Sequence, residues 1–420
     1  MARGHVVRNA VDVFAKFRVS RRISGWVSRS THRSNGCAVR AVEISTARGS
    51  RSANEAKFKL MKILFVDLER EWRGGQSQAL LTITGLRKNG HEVILVAPDG
   101  APLAGRGAKA GISVRRVPQL GMRLWASLAI RSLLKQMRFD LVHVNEPHAL
   151  TAAWLAHAHH KLPLVLSRRI GFPLKKTSIA RARYGALTRF LANCDDVRAS
   201  LLRSGVNSER ISVVNEGVEI PTPTTDTARA ETRQKWNIQP DNFLFGCVGV
   251  FVSEKGQRHL IGALAILRKQ FPDSRLILAG DGACRAELEE LAKKLGQSEA
   301  IVFTGFLGDV TPVYAALDAF VFPSEFEGLG TALQSAMALG LPCASTARGG
   351  LAEVVANERT VLVAEPDADE FAKAMMRLLV DEPLRKRLGA AAREEIARRF
   401  SDTGMVLRTI EVYGDVCARK

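Results

Sequence analysis

A glutamate and a run of glycines stand between an apolar segment and a helix-like segment in the second half of the chain. Residues 323–342 read PSEFEGLGTALQSAMALGLP, in which Glu327 precedes two glycines. The apolar run 319–322 predicts a buried strand, and the Ala-, Leu- and Met-rich run 331–339 predicts a helix. A strand, a glycine turn and a helix N-terminus offer free N–H groups and the helix dipole to an anion. An acidic residue on that turn suits a hydroxyl-rich group beside a phosphate, which describes a nucleotide sugar.

This run resembles the signature of the retaining glycosyltransferases of family 4, which have the GT-B fold. Their pattern is an acidic residue, Gly, an aromatic residue or Leu, Gly, and then a helix that ends in A-M-A-x-G-x-P. The resemblance implies that Glu327 contacts the donor sugar and that the N–H groups of residues 329–331 face the diphosphate. The family's second Glu, a ribose contact, falls at Ser335 in this chain. The Ser335 hydroxyl and the Gln334 amide are the two candidates to replace it.

A lysine in the run S-E-K-G-Q follows another apolar segment. The resemblance implies that Lys255 neutralises the leaving nucleoside diphosphate, because departure of a diphosphate builds negative charge that a fixed cation stabilises. Relatives often add an arginine at the position of Val250, and Arg258 is the candidate substitute here. The alternative for Lys255 is a solvated surface lysine.

Several glycines match the family's donor site. Gly74-Gly75 resembles its N-terminal glycine loop, Gly280-Asp281-Gly282 matches its G-D-G turn, and Gly305-Phe306 matches the region that frames the nucleobase. Glycine lets the backbone approach a ligand closely, although each of these is also a plain turn signal. Glu327 and Lys255 are the expected catalytic residues. The expected donor-binding residues are Gly74, Gly75, Gly249, Lys255, Gly280, Gly282, Phe306, Glu327, Gly328, Leu329, Gly330, Thr331 and Ser335.

Fewer sequence motifs indicate the acceptor-binding residues than indicate the donor-binding residues. Many relatives carry a histidine after the fifth strand, where this chain has Ser167-Arg168-Arg169. The expected acceptor-side residues are therefore His143, Arg168 and Arg169, with Arg168 a candidate phosphate contact. For His143 and for His148 a structural role is the alternative, since a lone histidine is more often structural.

No metal constellation is present in the sequence. Its one D-x-D, at Asp367–Asp369, opens a predicted helix, where acidic residues are favoured anyway. The sequence predicts transfer without a metal or a cofactor, because Lys255 and the helix dipole balance the charge.

Charge is the strongest compositional signal. The formal net charge is +19, and residues 1–60 hold 13 Lys and Arg against 3 Asp and Glu, so they contribute 13 − 3 = +10 and the rest contributes 19 − 10 = +9. The stretch 168–189 holds seven Lys and Arg and no acid. An anionic partner is expected, such as a phosphorylated acceptor or an acidic membrane surface, and solubility alone is the alternative.

Cysteine usage and hydropathy predict the location. The six cysteines form no C-x-x-C pair, so we expect reduced thiols. No apolar run reaches the roughly 18 residues of a spanning helix. The expected location is cytoplasmic, with peripheral contact on the inner face of the membrane.

From Met61 onward, strand and helix patterns alternate, which predicts parallel sheets with helical crossovers. The Pro- and Thr-rich run 221–226 is the expected linker. The predicted fold is therefore α/β, with the two facing Rossmann-like domains of the GT-B class and a cleft between them. The expected divisions are a basic, disordered extension before a natural start at Met61 (1–60, alternatively a transit peptide), an acceptor-side domain (61–220), a nucleotide-sugar domain (221–400) and a final helix that packs back across the interdomain region (401–420).

The resulting hypothesis is a retaining, metal-independent hexosyltransferase. It moves sugar from a nucleotide-sugar donor to a cell-envelope glycan or lipid acceptor, as in lipopolysaccharide or polysaccharide biosynthesis. One alternative is a sugar-nucleotide epimerase of the same fold. The other is a basic nucleic-acid-binding protein, although no recognition motif for nucleic acid is present.

Overall fold

The computed structural model describes residues 59–220 and 225–418. The predicted extension 1–60 lies almost wholly outside the described residues, and so do residues 221–224 of the predicted linker. The first half forms a seven-stranded sheet in the order β3-β2-β1-β4-β5-β6-β7. Its strands are β1 Lys62–Val66, β2 Glu92–Pro98, β3 Ser113–Val117, β4 Leu141–Val144, β5 Leu164–Arg168, β6 Arg189–Ala192 and β7 Ile211–Val213. Its helices are α1 Gly74–Lys88, α2 Pro102–Lys109, α3 Met122–Gln136, α4 Pro147–Leu155, α5 Ser178–Gly185 and α6 Asp195–Arg203.

The second half forms a six-stranded sheet in the order β10-β9-β8-β11-β12-β13. Its strands are β8 Phe243–Val248, β9 Ser274–Ala279, β10 Ile301–Phe303, β11 Ala319–Phe322, β12 Cys343–Ser345 and β13 Leu362–Val363. Its helices are α7 Asp226–Lys235, α8 Gln257–Leu267, α9 Arg285–Lys294, α10 Thr311–Ala316, α11 Thr331–Ala338, α12 Leu351–Val354, α13 Ala368–Val380 and α14 Glu382–Arg399. The final helix is α15 Asp402–Ala418.

Neighbouring strands in both sheets run parallel, as predicted. β1 pairs with β2 and with β4, and β8 pairs with β9 and β11. The central strands carry continuous runs of buried Ile, Leu, Val and Phe, because helices cover both faces of such sheets. In each sheet the order reverses beside the first strand, and ligands bind outside the carboxyl ends at such points.

The final helix returns to the first sheet. The chain before it pairs with the end of the first half through the bridge between Val218 and Ser401. α15 then packs on α1, where a Cβ on Gly85 would lie 2.3 Å from Val406 Cγ2. Only glycine at that position lets the two helices approach so closely.

Some predicted elements were wrong. α2 went unpredicted because its sequence, PLAGRGAK, contains a proline and two glycines, and its helix forms by packing on β2 and β3. The apolar pattern of residues 149–160 predicts one continuous helix, but α4 ends at Leu155, since His157 takes a left-handed conformation (φ 55°) and a short 3₁₀ turn follows. The short elements α12 and β13 were also missed.

Candidate functional site

The predicted catalytic pair meets at the carboxyl ends of two adjacent strands. Lys255 closes a 3₁₀ turn after β8, and Glu327 lies in the turn after β11. Because β8 and β11 pair in parallel, their following turns emerge side by side. Lys255 Nζ and Glu327 Oε2 form an ion pair, and both side chains are largely buried. The Ser324 hydroxyl donates to the same carboxylate oxygen at 3.4 Å.

The turn after Glu327 requires glycine and leads directly into a helix. Gly330 takes a left-handed conformation (φ 66°) at the N-cap of α11, and a Cβ there would lie 2.6 Å from Leu351 Cδ2. No side chain caps this helix, so its first N–H groups keep their capacity to donate to an anion. A Cβ on Gly74 would lie 3.3 Å from Thr331 Oγ1. The glycine loop that starts α1 therefore faces the start of α11 across the cleft.

Gly328 lies directly against the first half of the chain. A Cβ on it would lie 2.8 Å from the carbonyl oxygen of Arg169 and 2.9 Å from Asn193 Nδ2. Arg169 donates through Nε to Glu216 at 2.7 Å and through a terminal nitrogen to the Asn145 carbonyl at 3.1 Å. Burial raises the pKa of Glu216, while the guanidinium of Arg169 acts in the opposite direction. The predicted acceptor-side Arg169 is thus fixed at the cleft by a buried ion pair.

Two further contacts join the halves. The rings of Phe172 and Phe326 stack with centroids 4.7 Å apart. The carboxylate of Glu353 on α12 accepts hydrogen bonds from the backbone N–H groups of Asp195 and Asp196, both at 3.0 Å. These N–H groups start α6, so an acid of the second half caps a helix of the first. Local sequence patterns do not indicate this contact, because a capping residue normally lies next to the helix that it caps.

The two candidates for the ribose contact differ in their placement. Gln334 is fully buried, with its amide Nε2 3.4 Å from the Leu329 carbonyl, which argues against this amide as the ribose contact. Ser335 is half-buried, and its hydroxyl donates to the Thr331 carbonyl one helical turn earlier at 2.9 Å. Its remaining lone pairs keep the capacity to accept a hydrogen bond.

Arg258 is already neutralised. It pairs with Glu325, which also lies 3.1 Å from His259 Nε2. The charge of Arg258 is thus already balanced by Glu325, which argues against Arg258 as the substitute for the arginine that relatives carry at the position of Val250. Val250 itself is exposed.

The predicted nucleobase side is built on glycines at the ends of β8 and β9. A Cβ on Gly280 would lie 1.9 Å from the Gly249 carbonyl oxygen, so that position requires glycine. Gly280 also bridges to Gly305. Gly282 packs against the Phe251 backbone. Phe306, next to Gly305, is 62% exposed and leaves a ring face free to stack on a base.

His143 has a structural position. Its ring is buried, stacks on Phe65, and hydrogen-bonds Tyr413 of α15 through Nδ1 at 2.5 Å and Ser167 through Nε2 at 2.9 Å. Burial, followed by the charge of Arg169, lowers the pKa of His143 to about 3, so the ring is neutral. Both nitrogens are engaged within the chain, which argues against the expected contact with an acceptor.

The other acceptor-side candidates are Arg168 and His148. Arg168 donates to the Phe172 carbonyl at 2.7 Å and so shapes the segment that carries the stacked phenylalanine. His148 is exposed in the first turn of α4.

A buried acid that the sequence did not single out supports the first glycine loop. Asp67 accepts hydrogen bonds from Asn145 Nδ2 at 2.6 Å and from Gln76 Nε2 at 3.1 Å. Asn145 Nδ2 also lies 3.4 Å from the Gly75 carbonyl. Burial and the nearby Asp67 raise the pKa of Glu146, which caps α4, to about 7. Asp67 directly follows β1, and Asn145 directly follows the adjacent strand β4. Polar residues in these two positions are the sequence signal that would have indicated the cluster.

Within residues 59–220 and 225–418, no group of three or more His, Cys, Asp or Glu is arranged to hold a metal ion. Among the same residues, no helix is both long enough and apolar enough to cross a membrane.

Comparison with known families supports the resemblance in both halves. The model for Glycosyltransferase Family 4 matches residues 72–220, and the model for Glycosyl transferases group 1 matches residues 228–395. A GDP-mannose-dependent alpha-mannosyltransferase of Mycolicibacterium smegmatis is 30% identical over 352 residues, which cover 78% of this chain and 89% of the relative. The lipopolysaccharide core biosynthesis glycosyltransferase LpsE of Rhizobium meliloti is 36% identical over 180 residues, which cover 42% of this chain and 52% of LpsE.

Solved structures show the same fold. The crystal structure of Anabaena HepE in complex with UDP and glucose superposes with a TM-score of 0.75 at 22% identity, over 84% of this chain and 99% of HepE. The predicted arrangement of two Rossmann-like domains is thereby confirmed.

Proposed function

Because this chain belongs to the family-4 glycosyltransferases, within glycosyl transferases group 1, we propose that it transfers a hexose from a nucleotide sugar with retention of configuration and without a metal ion. The observation that carries the proposal is the Lys255–Glu327 ion pair at the carboxyl ends of β8 and β11, beside an uncapped helix N-terminus. A cation, free N–H groups and a sugar-binding carboxylate converge there. Those are the groups that a sugar diphosphate requires.

Lys255 acts on the leaving group. When the bond between the anomeric carbon and the diphosphate breaks, negative charge grows on the diphosphate oxygen, and Lys255 Nζ stabilises it together with the N–H groups of Leu329 to Thr331. To do so, the ammonium exchanges the Glu327 carboxylate for the diphosphate. Glu327 then accepts a hydrogen bond from a hydroxyl of the donor sugar, which holds the ring in place.

Retention follows from attack on the face that the diphosphate leaves. The acceptor hydroxyl forms its bond to the anomeric carbon on that face, and its proton passes to the departing diphosphate oxygen. The chain then needs no separate general base, which suits a cleft where His143 is buried and both of its nitrogens are engaged. Arg169 lies between Gly75 and Gly328, and this position supports a role for it in contacting the acceptor.

The donor is a nucleotide sugar, and relatives differ in which one they take. The name of the Mycolicibacterium relative specifies GDP-mannose, and the HepE structure contains UDP and glucose. Phe306 provides a stacking surface for any base.

The proposed acceptor is a cell-envelope glycan or a lipid-linked sugar. LpsE supports this class by its name. The acid-free stretch 168–189 gives the acceptor-side half a basic surface that suits phosphorylated acceptors and an anionic membrane. The enzyme would then act in the cytoplasm, peripherally on the inner face of the membrane.

The test identifies which anomer of the sugar the protein releases. The full chain is incubated with α-linked UDP- and GDP-sugars in the presence of EDTA, and the first sugar released to water is identified by proton NMR. The proposal predicts the α-anomer, unaffected by EDTA, and its loss in Lys255→Met but not in Lys269→Met, a matched change at an exposed lysine of the same half. A β-anomer first, or activity that EDTA abolishes, would contradict it.

A further inference from the structure

An arginine of the first half reaches across the cleft to the second half. Arg106 lies on α2, and its Nη2 donates a hydrogen bond to the carbonyl oxygen of Gly308 at 2.9 Å, although 202 positions separate the two residues. Gly308 belongs to the loop that joins β10 to α10. Phe306 lies two residues earlier in the same loop, so the contact is made at the predicted nucleobase side of the cleft.

An aromatic ring orients the guanidinium of Arg106. Its Cζ lies 3.9 Å from the ring centroid of Trp72, well inside the range of a cation–π contact. Trp72 precedes the glycine loop at the start of α1 by two residues, and both Trp72 and Arg106 are half-buried. A planar group stacked on a ring has few orientations, so the N–H groups at the edge of the guanidinium keep a fixed direction.

Arg106 keeps hydrogen-bonding capacity that its neighbours do not use. Within the part of the chain that the structure describes, no carboxylate pairs with Arg106, and the Gly308 carbonyl is its one hydrogen-bond acceptor. A guanidinium carries several N–H donors, so most of them are available to a ligand. Arg285, which also lies beside this loop, differs in that Asp281 and Glu289 accept from it at 3.1 and 2.8 Å.

A stacking surface adjoins this set of donors. The Phe306 ring is 62% exposed, and Gly308, which Arg106 contacts, is two residues further along the loop. Two residues of chain span at most about 7 Å, which is comparable to the width of a nucleobase. An aromatic face for a base and a fork of free donors for its edge thus lie side by side.

Nucleobases differ in what they offer to such a fork. A guanidinium only donates hydrogen bonds, so it matches a base with acceptors on its edge. Guanine has an oxo group at position 6, and uracil has one at position 4, where adenine and cytosine carry an amino group that donates. An arginine beside this edge therefore favours the oxo base of each pair, guanine over adenine and uracil over cytosine.

We propose that Arg106, oriented by Trp72, contacts the base of the nucleotide sugar and selects a base with an oxo group on this edge. The base stacks on Phe306, and free N–H groups of Arg106 donate to the oxo oxygen while Nη2 stays on the Gly308 carbonyl. Base recognition then involves α2 of the first half as well as a loop of the second. This inference rests on the proposed function, since it names the class of base that the donor carries.

The test measures selectivity by calorimetric titration of the full chain with UDP, CDP, GDP and ADP. In wild type the best-bound nucleotide should be UDP or GDP, and its amino counterpart, CDP or ADP, should bind at least about tenfold more weakly. Arg106→Met should weaken the best-bound nucleotide about tenfold and leave the counterpart unchanged, so that the two affinities converge. Lys109→Met removes an exposed charge from the same helix and, as the control, should keep the wild-type selectivity.

A second variant separates base recognition from charge. Arg106→Gln is as neutral as Arg106→Met, but its amide offers an acceptor oxygen to an amino group as well as a donor. It should therefore shift the affinity ratio toward CDP or ADP further than Arg106→Met does. Equal weakening of all four nucleotides in Arg106→Met, wild-type selectivity in Arg106→Gln, or a wild type that prefers CDP or ADP would overturn the proposal.

The donor site and the base contact fail in different ways. Lys255→Met should weaken all four nucleotides and leave their ratio unchanged, because Lys255 acts on the diphosphate that they share. If the folded wild type binds none of the four, the donor site is refuted and the base contact with it. If Lys255→Met weakens binding and Arg106→Met leaves the selectivity unchanged, the donor site stands and the base contact alone is refuted.

Discussion

Lys255 and Glu327 form an ion pair although 72 positions separate them in the chain. The expected cation for the leaving diphosphate and the expected sugar-binding carboxylate thus neutralise each other. In the proposed reaction, a nucleotide sugar exchanges this pair for two new contacts, diphosphate with Lys255 and sugar hydroxyl with Glu327. Together the two side chains add no net charge to a largely buried site.

The first prediction concerns the stability of this pair. Lys255→Met should lower the free energy of unfolding by about 1–3 kcal/mol, because Glu327 is left as a largely buried charge without its partner. Glu327→Gln in the Lys255→Met background should restore most of the loss, since the unpaired charge is removed. Urea unfolding of the two single variants and the double variant measures the coupling. If the effects of the two single changes on the free energy of unfolding simply add, Lys255 and Glu327 do not stabilise each other.

The second prediction concerns the contact between the halves. Glu353→Gln should lower the free energy of unfolding by about 1 kcal/mol, because an amide has one acceptor oxygen for the two N–H groups of Asp195 and Asp196 and lacks the charge that favours a helix start. Small-angle scattering should also show a wider distribution of separations between the two domains. Glu382→Gln, an exposed acid paired with Lys386, is the control. Indistinguishable behaviour of the two variants would show that the cap does not hold the domains together.

The third prediction concerns pH. His143 has a pKa of about 3 in the folded chain and an ordinary value of 6.5. The neutral ring therefore contributes stability in full above pH 6.5, and this contribution is lost as the pH falls from 6.5 toward 3. In that window wild type should lose about 1.4 kcal/mol per pH unit more than His143→Gln. Glu146, whose raised pKa acts in the opposite sense between 4.5 and 7, is common to both proteins and cancels. Parallel pH profiles would contradict the buried neutral histidine.

The fourth prediction concerns Ser335. Ser335→Ala should weaken nucleoside diphosphate binding about threefold, the loss of one hydrogen bond between neutral groups. Ser335→Glu should strengthen it about five- to tenfold, because a carboxylate accepts a stronger hydrogen bond from a ribose hydroxyl and reaches further. Calorimetric titration measures both. No change in Ser335→Ala would mean that the ribose lies elsewhere.

The sequence predicted the features that depend on residues close to one another in the chain. The order of strands and helices, and the turn that carries Glu327, followed from apolar runs, glycines and the family pattern. It did not predict which of two adjacent helical residues faces the core, so Gln334 and Ser335 were both candidates for the ribose contact, and Gln334 is the buried one. The role of His143 depends on Tyr413, 270 positions later, and the cap of α6 depends on Glu353 in the other half. Contacts of that kind are set by the packing of whole domains, and local patterns do not report them.

The most direct test of the central claim is calorimetric titration of the full chain with UDP, GDP, ADP and CMP in the presence of EDTA. We predict that one nucleoside diphosphate binds, that Lys255→Met weakens it at least tenfold, and that Lys269→Met does not. Binding that Lys255→Met leaves unchanged, or no binding by any of the four to the folded protein, would contradict the assignment of the Lys255–Glu327 cleft as the donor site.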